Sequence, residues 1–340
     1  AGEWIATSTE QIDSKIAGFH LNELYSSWCT WSEIVIDFLS SKKSPEKLQT
    51  WVNTSLGETW EDSGETVNTD TLYNRREPPG DGIMPEDALL ITAGTDVQDD
   101  RLEVSVIAWR GGDGTEESWT LEHRIIYGDP AQRKVWKQLD EVLGLVYKDA
   151  RGDIYKIASM CIDSGGHHTQ SVYDYVKPRQ LRGVYAIIGK GGEGRPIVSN
   201  PSRKTSGKSR RAVDLFSIGV DVVKGNLLSR LKITEKGAGF VHFNNNLDEE
   251  YFLQLTAEKR ITRYVKGFAK REWVAKRKRN EALDCFVYAV GALTILNPVW
   301  HVLLTRHDKR KGVVVEKQQA TKRKRVRRKS KNGYVNRWKN

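Results

Sequence analysis

The sequence predicts an α/β fold, a mixed β-sheet flanked by helices on both faces (α/β/α) with a small helical segment ahead of it. Three observations predict it. From about Ala88 onward, helical spacing gives way to short apolar or alternating runs of strand type. The first three of these runs follow one another directly and the later ones alternate with helical stretches, the order β-β-β-α-β-α-β and then helices. The chain of 340 residues is 38% hydrophobic, enough for one large core with appendages or for two modest domains.

The elements follow in order. His20 to Trp28, Trp31 to Ser40 and Pro45 to Leu56 read as helices, with Ser44 before Pro45 as a start signal. Asp62 to Pro85 is polar and carries Pro78-Pro79-Gly80-Asp81-Gly82, which predicts a linker. Leu89 to Asp96 is an apolar run that ends in an acid, Leu102 to Trp109 alternates, and Ser118 to Ile126 follows the Gly111 to Gly114 turn, together an antiparallel meander. Pro130 to Tyr147 has helical spacing, Tyr155 to Ile162 is a buried-type strand running into Asp163-Ser164-Gly165-Gly166, and helix Thr169 to Val176 leads to strand Gly183 to Ile188. Beyond a Gly/Lys-rich loop, Ala212 to Leu231 reads as an amphipathic helix, Gly239 to Phe243 as a strand, Asp248 to Lys259 as a helix and Asn280 to Leu296 as a final helix. Segment boundaries are expected at 1–60, 61–86, 87–298 and 299–340, the last a basic, flexible tail.

Charge is unevenly placed. The net charge is +10, but residues 301–340 hold 15 Lys+Arg against 2 Asp+Glu, leaving residues 1–300 with 39 against 42. Basicity therefore belongs to the tail and not to the body. A second cationic run, Lys259 to Arg279, carries ten basic residues and the single acid Glu272. Cys29, Cys161 and Cys285 lack CxxC spacing, and His167 and His168 lack a zinc-site companion, so neither a disulfide framework nor a zinc site is predicted and a reducing, cytoplasmic setting fits. No apolar stretch approaches the roughly 20 residues of a membrane span.

The chemistry is expected at three aspartates. Asp96 ends the first strand, Asp163 ends the strand that would lie beside it, and Asp284 rides the last helix, which can cross the sheet at that end. Carboxylates crowded together repel one another unless cations fill the gap, and hard oxygen ligands favour Mg²⁺ or Mn²⁺. Two such ions, roughly 3.5–4 Å apart, could activate water and stabilise the leaving oxygen of a phosphodiester. Each acid alone also has a bland reading as a turn former, a helix cap or a salt-bridge partner. Glu281, one turn before Asp284, and His167, just past Asp163, are candidate outer groups.

Several segments together resemble a known family. Gly18-Phe19-His20-Leu21-Asn22, Leu24-Tyr25-Ser26, Asn53 to Gly57, Thr92 to Gln98 with Arg101-Leu102-Glu103, Asp163 to Gly166, and Arg279 to Cys285 resemble the lambda-type (GpA-like) large terminase subunit of tailed phages, from about Gly18 to Leu296. The resemblance implies a ribonuclease H-like nuclease that cuts concatemeric double-stranded viral DNA during genome packaging in the host cytoplasm, at the procapsid. It implies metal-binding roles for Asp96, Asp163 and Asp284, and a small terminase subunit and a portal protein as partners. It makes residues 1–60 the end of a preceding ATPase domain, so the chain reads as an excised piece or a natural truncation. No ATP site is expected within it, because Ser202 stands where the P-loop pattern ending in Gly207-Lys208-Ser209 requires glycine.

Gly189 to Gly194 satisfies G-x-G-x-x-G, but Arg195-Pro196-Ile197-Val198 reads as an extended or turning segment where a dinucleotide site needs a helix to open. A loop tracking DNA phosphates is expected there instead, through Lys190, Arg195, Lys204, Lys208, Arg210 and Arg211, with Lys276, Arg277, Lys278 and Arg279 as a second cationic group. A DNA strand-transfer enzyme of transposase or resolvase type, and a non-catalytic DNA-binding adaptor, are the alternatives; strand-transfer products would mark the first, and an Asp96→Ala variant with every activity intact the second.

Overall fold

The computed structural model describes residues 19–42, 45–58, 67–78, 82–111, 116–192, 194–205, 212–265 and 268–310. Ser44, residues 112–115 with most of the expected Gly111 to Gly114 turn, residues 206–211 and residues 311–340 lie outside the described residues. The chain divides into two compact units, residues 1–66 with 259–275, and residues 67–258 with 276–340.

In the first unit, Thr30 caps helix α1 (Trp31–Ser41) through a reciprocal pair of bonds with Glu33. Helix α2 (Pro45–Trp51) continues as a π turn over Val52–Leu56 and stops at Gly57, whose φ of 65° suits a residue without Cβ. The helix expected over His20 to Trp28 is only a 3₁₀ turn, Glu23–Tyr25. Asn22 takes the amide of Leu24 and Ser26 Oγ that of Trp28, local bonds that compete with helix continuation.

The second unit opens with α3 (Thr69–Tyr73) and β1 (Arg76–Glu77), then the meander β2 (Leu90–Val97), β3 (Arg101–Arg110) and β4 (Glu117–Tyr127). Next come α4 (Arg133–Leu143), β5 (Val146–Lys148), β6 (Ile154–Asp163), α5 (Thr169–Val176), β7 (Val184–Lys190), β8 (Ser202–Thr205), β9 (Ala212–Gly219) and α6 (Val220–Leu231). After β10 (Val241–Asn244) and α7 (Glu249–Leu255), the hairpin β11 (Glu258–Val265) and β12 (Phe268–Ala275), most of it in the first unit, precedes α8 (Glu281–Leu296) and α9 (Trp300–Arg310). The sheet runs β1-β10-β4-β3-β2-β6-β7-β9-β8, with β5 on β6. Strands β2, β3 and β4 are antiparallel, whereas β2, β6, β7 and β9 are mutually parallel neighbours.

Both faces are covered, as expected of an α/β/α sheet. Val135, Leu139 and Val142 of α4 and Val172 and Val176 of α5 close one core with Ile91, Val104 and Ile162. Phe286, Ala289 and Leu293 of α8 and Leu227 and Leu231 of α6 close another with Ile107 and Trp109. Burial on both faces explains why β2 reads as an unbroken apolar run.

Three expectations are corrected. Residues 212–219 form a strand, and the helix begins only at Val220. Val213 and Leu215 sit at period two; Val213 pairs with β8 and Leu215 with both β7 and β8, so tertiary pairing overrides the helical spacing that the run also permits. The expected 61–86 linker is largely built into the second unit: Leu72 and Met84 are fully buried, the Arg75 guanidinium donates to Leu231 O and Val241 O, and β1 pairs with β10. The expected tail from 299 starts as helix α9, whose buried His307 donates from Nε2 to Glu86 O at 2.8 Å.

Candidate active site

Two strand ends and one helix turn define the site. β2 and β6 are parallel neighbours in register at Thr95 and Ile162, so Asp96 and Asp163, one residue further on, leave the sheet side by side at its carboxyl end. α8 lies directly on β2 at Gly94, where a Cβ would collide with Cys285 O and come within 2.5 Å of Ala289 N. Thr92 Oγ1 donates to Ala289 O at 2.9 Å and the Cys285 thiol to Glu103 O at 3.1 Å. That close approach carries Asp284, in the first turn of α8, to the same end of the sheet.

The three carboxylates feel one another. Burial pushes Asp96 up to about 8, and repulsion from Asp284, Asp163 and Glu281 adds to it against a hydrogen bond from the Gln98 amide. Burial pushes Asp163 up to about 6, with Asp284 contributing and the Gly165 amide, 3.2 Å from Oδ1, opposing. Asp284 is raised by burial and by Glu258 and Glu281, and held down by Lys224, whose ammonium lies 3.3 Å from its Oδ1. Lys224 itself is raised: burial would lower it, but Asp284 and Glu258 outweigh burial.

A cationic network fixes the wall of the site. Arg101 Nε donates to Glu103 at 2.6 Å and its other nitrogens reach Glu281 and Asp100. Arg279 donates to the same Glu103 oxygen at 2.7 Å and faces Glu281 Oε2 at 3.5 Å. Glu281 thus adds negative field at Asp96 while its own carboxylate is taken by arginine. His167 is exposed and pairs through Nδ1 with Asp99 Oδ1 at 3.1 Å, while a backbone amide serves Asp163.

The cationic candidates divide. Lys190, Arg195, Lys276 and Lys278 are exposed. Arg277 donates to Glu250 at 3.0 Å and Arg279 serves Glu103, so these two guanidiniums are engaged by acids within the unit. Lys208, Arg210 and Arg211 lie outside the described residues, as does the side chain of Lys204. In the glycine loop no helix opens after Gly194, and Asp221 accepts the Gly192 amide at 2.7 Å, placing a carboxylate where a pyrophosphate would need to sit.

Among the described residues no group of three or more His, Cys, Asp or Glu side chains is arranged to hold a metal ion as it stands. The chemistry of the donor set nevertheless fits hard divalent cations. All donors are carboxylate oxygens, and burial with mutual repulsion disfavours their charged forms until a cation compensates them.

The family described as terminase large subunit gpA, endonuclease domain, matches residues 16–303. The chain belongs to this family. The chain is 35% identical over 311 residues to the terminase large subunit of Escherichia phage lambda, covering 89% of this chain and 47% of the relative. It is 32% identical over 295 residues to that of Enterobacteria phage P21, covering 84% of this chain and 44% of the relative. It therefore spans about half the length of the curated relatives it matches. Solved structures that align with it include the large terminase of bacteriophage HK97 (TM-score 0.35, 11% identity, 78% of this chain and 51% of that chain). Thermus thermophilus RuvC aligns with a TM-score of 0.27 and 12% identity, covering 66% of this chain and 98% of that chain.

Sequence reasoning missed four groups of this site. Tyr288, one turn beyond Asp284, is buried, and burial with the charges of Asp163, Asp284 and Asp96 raises its hydroxyl well above the usual range. Its i+4 spacing from Asp284 was the available signal. Lys224 and Glu258 come from elements far apart in the chain and carry no motif, and Arg101 reads as an ordinary turn residue after Asp99-Asp100.

Proposed function

We propose that this chain hydrolyses phosphodiester bonds of double-stranded viral DNA during genome packaging, using divalent ions, Mg²⁺ or Mn²⁺, held by Asp96, Asp163 and Asp284. The observation that carries the reading is the convergence of three carboxylates from β2, β6 and α8, each raised by burial and by its neighbours, in a member of an endonuclease family. Divalent ions in such a site supply Lewis-acid polarisation of the phosphate and activation of water, and a pair of ions would serve both the attacking and leaving oxygens. Asp163, steadied by the Gly165 amide, and Asp96, steadied by Gln98, present their oxygens at the sheet end. Arg101 and Arg279 keep Glu281 and Glu103 from adding further free charge. Exposed Lys190, Arg195, Lys276 and Lys278 would meet the DNA backbone, with the basic tail adding attraction at longer range. The small terminase subunit and the portal protein remain the partners to expect, in the host cytoplasm.

Plasmid cleavage with Mn²⁺ or Mg²⁺ tests this reading. Asp163→Asn and EDTA should each reduce cleavage to background, by at least ~10²-fold, because no other described group replaces a charged oxygen ligand there. Cleavage that survives both would remove the metal site, and joined strands among the products would point to strand transfer instead.

A further inference from the structure

We propose that Lys224 is a positioning residue whose ammonium stands in for a divalent cation at Asp284, holding Asp284 and Glu258 together until metal arrives; this rests on the metal-dependent reading above. A lysine normally carries its charge out to water, but the Lys224 side chain is only 9% exposed, on the α6 face that packs against α8. A buried ammonium persists only where anions match it. Its Nζ lies 2.8 Å from Glu258 Oε1 and 3.3 Å from Asp284 Oδ1, and those carboxylates are themselves 10% and 20% exposed.

A second bridge repeats the first. The Asn280 side-chain amide donates to Glu258 Oε1 at 2.9 Å and to Asp284 Oδ2 at 3.0 Å. Lysine and asparagine thus tie the same two acids, one by charge and one by a neutral hydrogen bond. Each Asp284 oxygen has its own donor, Oδ1 the ammonium and Oδ2 the amide. Asn280 fixes orientation without changing charge, whereas Lys224 supplies a unit positive charge on an oxygen that a metal ion would also use. Glu258 is what allows that charge to withdraw: the ammonium keeps its Glu258 partner, 2.8 Å away, when Asp284 turns to a cation. Among the described residues no other acid lies within 4.0 Å of Lys224 Nζ.

The arrangement predicts opposite effects from two substitutions. Lys224→Met removes the competing charge and should tighten Mn²⁺ binding about tenfold, since a unit charge a few ångströms away, screened as near a protein surface, alters cation affinity at least that much. Glu258→Gln leaves the ammonium with Asp284 alone and should weaken Mn²⁺ binding about tenfold. Lys224→Arg, which keeps the charge, should stay within about threefold of the native chain. A purely structural lysine would give weaker binding in both of the first two variants.

Titration of the full chain with Mn²⁺, following loss of the free-ion electron paramagnetic resonance signal, reads all of these without DNA cleavage. Tighter binding in Lys224→Met with weaker binding in Glu258→Gln supports the proposal. Unchanged or weaker binding in Lys224→Met overturns it. Should Lys224→Met fail to fold by circular dichroism, Glu258→Gln decides: unchanged or tighter binding there overturns the proposal equally. A native chain that binds no Mn²⁺ removes the metal-dependent reading and this proposal with it, whereas native binding with the wrong signs removes this proposal alone.

Discussion

Asp96 and Glu103 are register partners across β2 and β3, both buried and both acidic, yet their carboxyls move in opposite directions, Asp96 up to about 8 and Glu103 down to about 2. Burial raises both. The difference is that Glu103 also receives His123, Arg101 and Arg279, whereas Asp96 meets the Gln98 amide and three other acids. One acid is a structural anchor and the other is left short of positive charge. The Glu103 pairing carries a pH signature. Its folded-state value lies below the unfolded value, so the stabilisation is complete above about 4.5 and is lost as pH falls from there toward about 2. Denaturant midpoints measured against pH should show that acid limb in the native chain and a flatter one in Glu103→Gln. At pH 7 the substitution should cost about 2–3 kcal/mol, because it leaves Arg101 and Arg279 without their shared partner. An unchanged acid limb would refute the assignment.

Among the elements, α8 joins chemistry to fold. Its apolar face seals two core clusters while its first turn carries Glu281 and Asp284, so its distance from β2 sets the geometry of the acids. Gly94 permits that distance because any Cβ there would strike the backbone of α8. Gly94→Ala should therefore lower stability by about 1–3 kcal/mol through overpacking and reduce cleavage beyond what the stability loss explains, since α8 must lift with Asp284. Thermal unfolding together with cleavage at a temperature where the variant remains folded separates the two effects; native cleavage would show that the close approach is dispensable. The element that sequence reading mistook, Ala212 to Gly219, shows why apolar spacing is ambiguous. Val213 and Leu215 are spaced as in a strand and Leu215 and Ile218 as in a helix, so a run this short is ambiguous, and only hydrogen bonding to β7 and β8 settles it.

At the scale of the whole molecule, charge and chemistry are separated. The body that holds the acids is slightly negative, whereas residues 311–340 alone carry 12 Lys+Arg against the single acid Glu316. A chain ending after Arg310, which keeps α9 and its buried His307, should retain its fold and its metal-dependent cleavage at saturating DNA. Its DNA affinity should fall and lose part of its salt dependence, as fewer phosphate counterions are displaced. Binding measured across a range of salt concentrations checks this, and an unaltered slope would take the tail out of DNA capture.

The sequence by itself determined the meander, the alternation that follows it, and the strand-end and helix positions of Asp96, Asp163 and Asp284, because local periodicity and buried apolar runs are written residue by residue. The terminase-like segments made those positions specific, and the match over residues 16–303 bears that resemblance out. Only the tertiary structure decided what surrounds the acids. Lys224, Glu258 and Arg101 reach the site from α6, from the start of β11 and from the start of β3. Arg277 and Arg279, which read as free cations in the sequence, are engaged by acids distant in the chain. The physical reason is that an ion pair or a bare-glycine contact depends on which side chains folding brings within a few ångströms. Periodicity along the chain records which face is buried, but not which partner waits there.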